Sequence, residues 1–446
     1  MHGQQKAAAL WSGIGFHERR SIPQLGIYVL DAPQHMSANV AVAELTKSGF
    51  LQYAEEDRVI HPAFVPNDPD YSGQWALPKV GFSKAWSKST GAGVTVAVLD
   101  TGVTCTISDL VGQCVPGWNV VDNNSNTNDD IDHGTGVAGQ IAAATNNGVD
   151  VASAAWGAKV MPIKINQDGQ GAAFDSDIAA GIVWGADHGA KVENLSYGSS
   201  DGSAFGQVVL DAAFYLRQKG GILFNAAGNS GIQMTWTTAV LDTVSATDDK
   251  NKIASFSSYG KPVDFAAPGV GIWCLSDTNQ VGTCSGTSMS SPFAASVAAL
   301  MLSANPSLLP WQVENLMAIS TTDKGKDGWD QKYGWGVIDA KASVDNAFAN
   351  PGPDVTNPDP ARIYSGGYNG TPPTVHFSWN AAYDNTGYAT SYLIYRNGTK
   401  IGKTSALTFT DPNPIHGATS SYAVKAADAA GNNSIFSNIV PIFVGQ

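Results

Sequence analysis

The sequence predicts an α/β protein, with a mainly parallel sheet covered by helices in three layers, a short α+β segment before it and a small β-sandwich after it. Three observations carry that prediction. Apolar runs of strand length alternate with helix-period stretches from about Trp75 to Phe348. Beyond Arg362 the pattern changes to strict apolar/polar alternation. Between the two lies "NPGPDVTNPDPAR", Asn350 to Arg362, whose prolines and Asp/Asn residues suit an exposed linker.

The elements follow in chain order. Residues 1–63 hold "GIYVLDAPQHMSANVAVAELTKSGFLQYAEEDRVIHP", which reads strand, helix, strand. Residues 64–349 supply the strands "VTVAVLD", "KVMPIKI", "VENLS" and "GILFNAAGN", and helical stretches such as "FDSDIAAGIVWGADHG" and "AFGQVVLDAAFYLRQKG". This alternation implies crossovers that return each strand parallel to the last, and such folds place their sites beyond the carboxyl ends of the strands. Residues 350–361 form the linker. In residues 362–446, "TVHFSWN", "TSYLIYRNGTKIG" and "SSYAVKAADAAGN" alternate around turn signals that include a hairpin at Arg396 to Gly398. Trp379, Tyr395 and Tyr422 are the expected core aromatics there.

Composition narrows the function. Apolar residues at 43% and charged ones at 14% describe a well-buried globular chain of 446 residues, long enough for two or three domains. A net charge of −13 argues against nucleic acid or an anionic membrane as partner, and a soluble monomer is expected. No apolar run reaches the length of a membrane span. The start lacks the basic segment and long apolar core of a secretory signal, so any export signal has been removed or was never there. Cys105, Cys114, Cys274 and Cys284 form two sequence-local pairs without zinc-knuckle spacing. Local pairing is one of three connectivities and implies an oxidising compartment; four free thiols in a cytosolic protein is the alternative.

Three stretches place reactive side chains at strand ends and helix mouths. "VAVLDTGV" leaves Asp100 at a strand tip, "DHGTGVAG" puts His133 at the start of a helix of small residues, and "GTSMSSP" puts Ser288 just before another. Each alone is ordinary, since Asp forms turns and Ser caps helices. Together they supply an orienter, a base and a nucleophile, with helix N–H groups beside Ser288 for a developing oxyanion.

These segments, with "NAAGNS", resemble the motifs of the subtilisin-like serine proteases over roughly Pro66 to Phe348. The resemblance implies Asp100, His133 and Ser288 as the triad and Asn229 as an oxyanion donor. It implies an extended protein substrate lying between Ser196, Tyr197 and Gly198 on one side and Ala226, Ala227 and Gly228 on the other. Tyr197 stands where the family commonly has an aliphatic residue, Gly136 where a histidine is usual, and "SPFAAS" where "PHVAG" is common. The amino-terminal segment is similar to the later part of the propeptide that folds and inhibits these enzymes. A cut is implied near Ala63 and Phe64, with Ile60 and Ala63 in the groove. "FVPNDPDY" and "TISDLVG" resemble the thermitase branch, which implies a structural calcium held by Asp68, Asp109, Asn147 and backbone oxygens of Ala144, Val149 and Val151. The run "DNNSNTNDD", Asp122 to Asp130, is either a weaker cation site or a solvated loop. The tail resembles a fibronectin type III module.

The reading is therefore a secreted serine endopeptidase made as a self-processing proenzyme. A lipase or esterase is the competing enzyme, because "GTSMS" comes close to G-x-S-x-G, but those enzymes run Ser, Asp, His in chain order. A catalytically silent binding protein carried by its sandwich is the alternative from another class.

Overall fold

The computed structural model describes residues 11–33, 36–47, 51–57, 64–167, 169–369 and 373–445. The chain forms two compact units, Met1–Pro62 and Ala63–Gln446.

In the first unit, His17–Ile22 and Ile27–Asp31 pair antiparallel across a tight turn at Pro23–Leu25, closed by Gly26 at φ 64°. The helix Ala38–Lys47 turns Ala41 and Leu45, four residues apart, into a small core with Trp11 and Phe16. The strand His17–Ile22 carries no apolar alternation, because "HERRSI" is polar and every residue of it is exposed. The expected second strand of the strand, helix, strand reading is not formed by residues 51–57. Ile60 and Ala63, expected in the substrate groove, lie outside the described residues.

The second unit is built on seven parallel strands. Their spatial order is Val263–Pro268, Asp242–Thr247, Ile222–Ala226, Val192–Leu195, Thr95–Asp100, Lys159–Lys164 and Trp118–Asn119. Alternation along the central strand shows why helices cover both faces. Val96 and Val98 pack with Val137, Ile141 and Val297, whereas Ala97 and Leu99 pack with Ile178, Ile182, Val209 and Leu216. The first layer belongs to the helices His133–Ala142 and Ser291–Ala304, the second to Asp175–Asp187 and Gln207–Gln218. On one side of Thr95–Asp100 the chain first lays the edge strand Trp118–Asn119 and then Lys159–Lys164 between the two; it then returns and adds strands outward on the other side. The carboxyl ends of Thr95–Asp100 and Val192–Leu195 flank that reversal, where open α/β sheets hold their ligands.

After the sheet, a three-stranded antiparallel sheet built on Thr374–Trp379 and a four-stranded one built on Ser391–Arg396 and Ala418–Ala427 enclose one core. Trp379 and Tyr422 are fully buried in it. Tyr395 is not. The strand alternates so that Tyr392 and Ile394 face inward, which turns Tyr395 outward against the edge of Phe436 (centroids 4.9 Å apart). Asn397 and Gly398 both take positive φ, as a two-residue hairpin turn requires.

The connecting segment is not the exposed tether its composition suggests. Pro358, Asp359 and Ala361 are buried, and Asp359 accepts the Ala239 N–H (3.0 Å). Tyr383 stacks on Phe214 of the helix Gln207–Gln218 (4.4 Å) and donates to Asp211 (2.6 Å). The carboxyl-terminal strands are thus seated on the parallel-sheet body.

Of the cysteines, Cys105 and Cys114 are joined. Cys274 and Cys284 are free, against the second local pairing expected. They lie on the paired strands Ile272–Leu275 and Val281–Cys284, but Cys274 faces Gly282 and Cys284 faces Ile272, so neither sits directly opposite the other. The two thiols still reach each other as a hydrogen-bonded pair, and the Cys274 sulfur also lies 3.2 Å from that of Met289.

Candidate active site

Asp100 ends the central strand, fully buried. Its Oδ1 accepts from the Thr101 N–H (2.8 Å) and meets His133 Nδ1 (2.7 Å), while Oδ2 has no partner. His133 opens the helix His133–Ala142, and that helix is fixed by close approach: a Cβ on Gly134 would lie 2.0 Å from the Gly102 carbonyl oxygen. The buried Asp100 carboxylate pushes the imidazole up to about 9, against the opposing pull of burial.

Two residues behind this pair carried no signal in the sequence reading. Thr101 Oγ1 donates to Asp129 (2.7 Å) and accepts the Gly134 N–H (3.0 Å), and the other oxygen of Asp129 accepts the Thr135 N–H (2.7 Å). Asp129 belongs to the "DNNSNTNDD" run, whose next member, Asp130, pairs with Lys164 (3.0 Å). At its other end, Asp122 accepts from the Asn119 amide. The run is a loop whose acidic end is bonded to distant parts of the chain, and Asp129 is buried rather than solvated.

Ser288 lies in a single 3-10 turn, Thr287–Met289, immediately before the helix Ser291–Ala304 with Pro292 in its first turn. Its hydroxyl donates to the Ser196 carbonyl (3.1 Å) and not to the imidazole. Thr287 orients Asn229: the Asn229 Oδ1 accepts both the Thr287 N–H (2.8 Å) and hydroxyl (2.9 Å). With the oxygen so engaged, the amide NH2 is the end left for the cleft.

His133, Ser288, Asn229, Ser196, Tyr197, Gly198, Ala226 and Gly228 line one cavity of about 360 Å³. The two expected walls are neighbours, since a Cβ on Gly198 would lie 2.5 Å from the Ala226 carbonyl. Ala227 is not part of the lining; it is buried with Met234 and Val263. Tyr197 stands edge-on to the His133 ring (6.4 Å), with a buried hydroxyl that lacks a partner. Burial, and then Asp100, raise that phenol above its ordinary value.

The departures from the family pattern have packing consequences. Gly136 lets the His133 helix approach the strand Ile272–Leu275, for a Cβ there would already touch the Leu275 carbonyl at 3.3 Å. Phe293 of "SPFAAS" is buried against Phe82 (5.8 Å).

Away from the cleft, Asp68 and Asp109 are buried at opposite sides of one loop. Asp68 accepts the N–H groups of Asn146 (2.8 Å) and Asn147 (3.2 Å). Asp109 accepts from the Asn147 side chain (2.8 Å) and the Val151 N–H (3.0 Å), its main-chain oxygen takes the Ala144 N–H, and the Val149 N–H binds Asn147 Oδ1. Burial pushes the Asp109 carboxyl up to about 6, although both hydrogen bonds oppose it. Among the described residues neither carboxylate has a Lys, Arg or His ion-pair partner.

The model of the subtilase family matches residues 91–336. The chain belongs to that family. It is a serine endopeptidase body, and similar curated proteins include thermitase of Thermoactinomyces vulgaris, 37% identical over 54% of this chain and 86% of that protein. The extracellular basic protease of Dichelobacter nodosus is 32% identical over 72% of this chain, which spans 63% of that relative's length. Among solved structures, a protease from Pseudoalteromonas arctica PAMC 21717 superposes with a TM-score of 0.57 at 29% identity, over 64% of this chain and 100% of that one. Among the described residues no helix is long and apolar enough to cross a membrane.

Proposed function

We propose that this subtilase is a secreted proenzyme in which Ser288 is the nucleophile, His133 the general base and Asp100 its orienter. The observation that carries the reading is the 2.7 Å bond from buried Asp100 to an imidazole that shares its cavity with Ser288 and Asn229. In turnover the Ser288 hydroxyl leaves the Ser196 carbonyl for His133 Nε2 and gives up its proton as Oγ adds to the scissile carbonyl carbon. The oxyanion is held by the Asn229 amide and the N–H groups at the helix mouth. His133 returns the proton to the departing amine as the C–N bond breaks. Water, deprotonated by the same imidazole, then releases the acyl group and restores Ser288. An extended substrate strand lies between Ser196–Gly198 and Ala226–Gly228, and main-chain pairing there makes sequence preference broad.

The cluster of Asp68, Asp109 and the 144–151 loop fits a structural Ca²⁺. Two buried carboxylates without a cationic side chain, with the Asn147 side chain against one of them, offer hard oxygens, and the main-chain oxygens of Ala144, Val149 and Val151 would complete the donor set. Calcium there supplies charge neutralisation to the loop after the His133 helix and takes no part in the chemistry. The amino-terminal segment is read as an intramolecular inhibitor, the carboxyl-terminal strands as a fibronectin type III-like module, residues 350–361 as their connection, and protein as the substrate.

A fluorophosphonate probe tests the reading. Modification at Ser288 alone, lost in Ser288→Ala together with peptide hydrolysis and self-processing, is the expected result. Processed protein that takes no label would support a silent binding role instead.

A further inference from the structure

Where the connecting segment meets the carboxyl-terminal strands, three carboxylates converge that no part of the catalytic reading uses. Asp354 comes from the connection, Asp384 from a two-residue hairpin strand and Asp428 from the loop after the strand Ala418–Ala427. One oxygen from each lies within 4.8 Å of the others. Among the described residues none of the three has an ion-pair partner. Three like charges held this close need a counter-charge or a proton.

A second observation points to a ligand. Asp384 has no exposed surface, yet only its Oδ2 is satisfied, by the Thr386 N–H and hydroxyl; Oδ1 has no partner. Beside it Asn385, 4% exposed, buries a second unpartnered oxygen, Oδ1, while its amide nitrogen is held by Asp354 (3.1 Å) and Glu314 (3.3 Å). Orphaned buried oxygens are rare in folded proteins and mark an ion or water not yet accounted for. The remaining members are locked in place: Asp428 accepts the N–H groups of Gly431 (2.6 Å) and Asn432 (2.9 Å), and the Asn432 amide bridges Asp428 (2.8 Å) to the Asp354 carbonyl (3.0 Å).

We propose that Asp354, Asp384 and Asp428 form a Ca²⁺ site that fastens the carboxyl-terminal strands to the connecting segment. The donors are all hard oxygens, which suits Ca²⁺, and opposed ligands of that ion stand about 5 Å apart, wide enough for this triangle. Asn385 carries the effect further, because its amide hydrogen-bonds Glu314 on the helix Pro310–Ser320 of the catalytic body. The ion therefore sits in a bonded path that joins connection, sandwich strands and catalytic helix, beside the direct bond from the Asn315 amide of that helix to the Pro353 carbonyl (3.1 Å). The site is independent of the Asp68 and Asp109 cluster and of the catalytic reading.

The test uses the full chain carrying Ser288→Ala, to prevent self-digestion, stripped with EDTA and titrated with Ca²⁺ in a calorimeter. Asp384→Asn is expected to lose one bound Ca²⁺ per chain, or to weaken that site at least tenfold, while Asp68→Asn leaves it intact. Trypsin cleavage after Arg362 is expected to be at least tenfold faster in EDTA than in Ca²⁺, and insensitive to Ca²⁺ in Asp384→Asn. Unchanged stoichiometry and affinity in Asp384→Asn overturn the proposal and assign the cluster a shared proton. Should Asp384→Asn fail to fold, Asp354→Asn, which is only half-buried, decides on the same two readouts.

Discussion

Asp100 and Glu193 are carboxyl groups on neighbouring parallel strands, and both have no exposed surface. Their fates differ because of where along the strand each falls. Asp100 stands at the carboxyl end, where the chain turns and a helix mouth arrives, so it receives the Thr101 N–H and the His133 imidazole. Glu193, opposite Ala97 in mid-strand, lies in the apolar layer beside Ile163 and Gly185, and among the described residues neither of its oxygens has a hydrogen-bond partner. Burial raises Glu193 well above the usual carboxyl range, which favours its protonated form. Asp100 is thus answered by an imidazole and Glu193 by burial that favours a proton, while the proposed answer at the Asp384 cluster is a cation. Of the three, Asp100 is the one whose partner lines the catalytic cleft.

The sharpest way to break this comparison is Asp100→Asn. It should lower kcat by about 10⁴-fold in protein that still folds, with an unfolding temperature that nears the parent's only above about pH 9, where the pair no longer contributes; a folded variant that keeps its kcat would make Asp100 a structural acid like Glu193. Asn229→Ala, a change in the same cleft without charge, should fall below it, at about 10²- to 10³-fold in kcat with KM nearly constant, a range carried over from the family's reference enzyme. A loss confined to KM would remove Asn229 from the transition state.

Next comes the cation answer. Asp109→Asn should shorten the half-life of thermal inactivation in Ca²⁺ by roughly tenfold or more, as losing a bound ion does, and leave cold activity unchanged. A half-life equal to the parent's, with EDTA also without effect, would end the calcium assignment.

The smaller effects lie in pH. The base must be neutral and its value is raised to about 9, so kcat/KM should fall as pH drops, with a midpoint above the ordinary histidine value of 6.5. The stability that the Asp100–His133 pair contributes runs the other way, being full below pH 6.5 and lost as pH rises toward 9. A midpoint at or below 6.5 would show that Asp100 does not act on the imidazole. Glu193 is also raised, so its contribution to stability is full below its ordinary value and lost as pH increases. Glu193→Gln should therefore unfold at a higher temperature than the parent at pH 8 and at the same temperature at pH 4. Equal behaviour at both would mean that Glu193 is ionised and paired.

Much of the site was legible because motif residues sit at element boundaries. "VAVLD" ends a strand, "DHG" opens a helix and "GTSMSSP" precedes one, and each boundary has a local physical cause. Thr101 and Asp129 were not legible, since a threonine and one aspartate in a polar run acquire their role only when the run folds back over the strand end. Tyr395 went wrong by one residue of phase, because strand alternation fixes two faces but not which one is buried. The buried half of the connection escaped for a related reason: Pro358 and Asp359 look like tether until Ala239 supplies a donor.

What the sequence determined alone was the periodicity of strands and helices, the family, and the residue types able to do nucleophilic chemistry, because these depend on neighbours a few positions away. What only the tertiary structure decided was who answers each buried charge. A carboxylate's partner comes from elsewhere in the chain, as His133 does for Asp100 or the Ala239 N–H for Asp359, and the free energy of burying a charge depends on that partner's distance rather than on sequence separation.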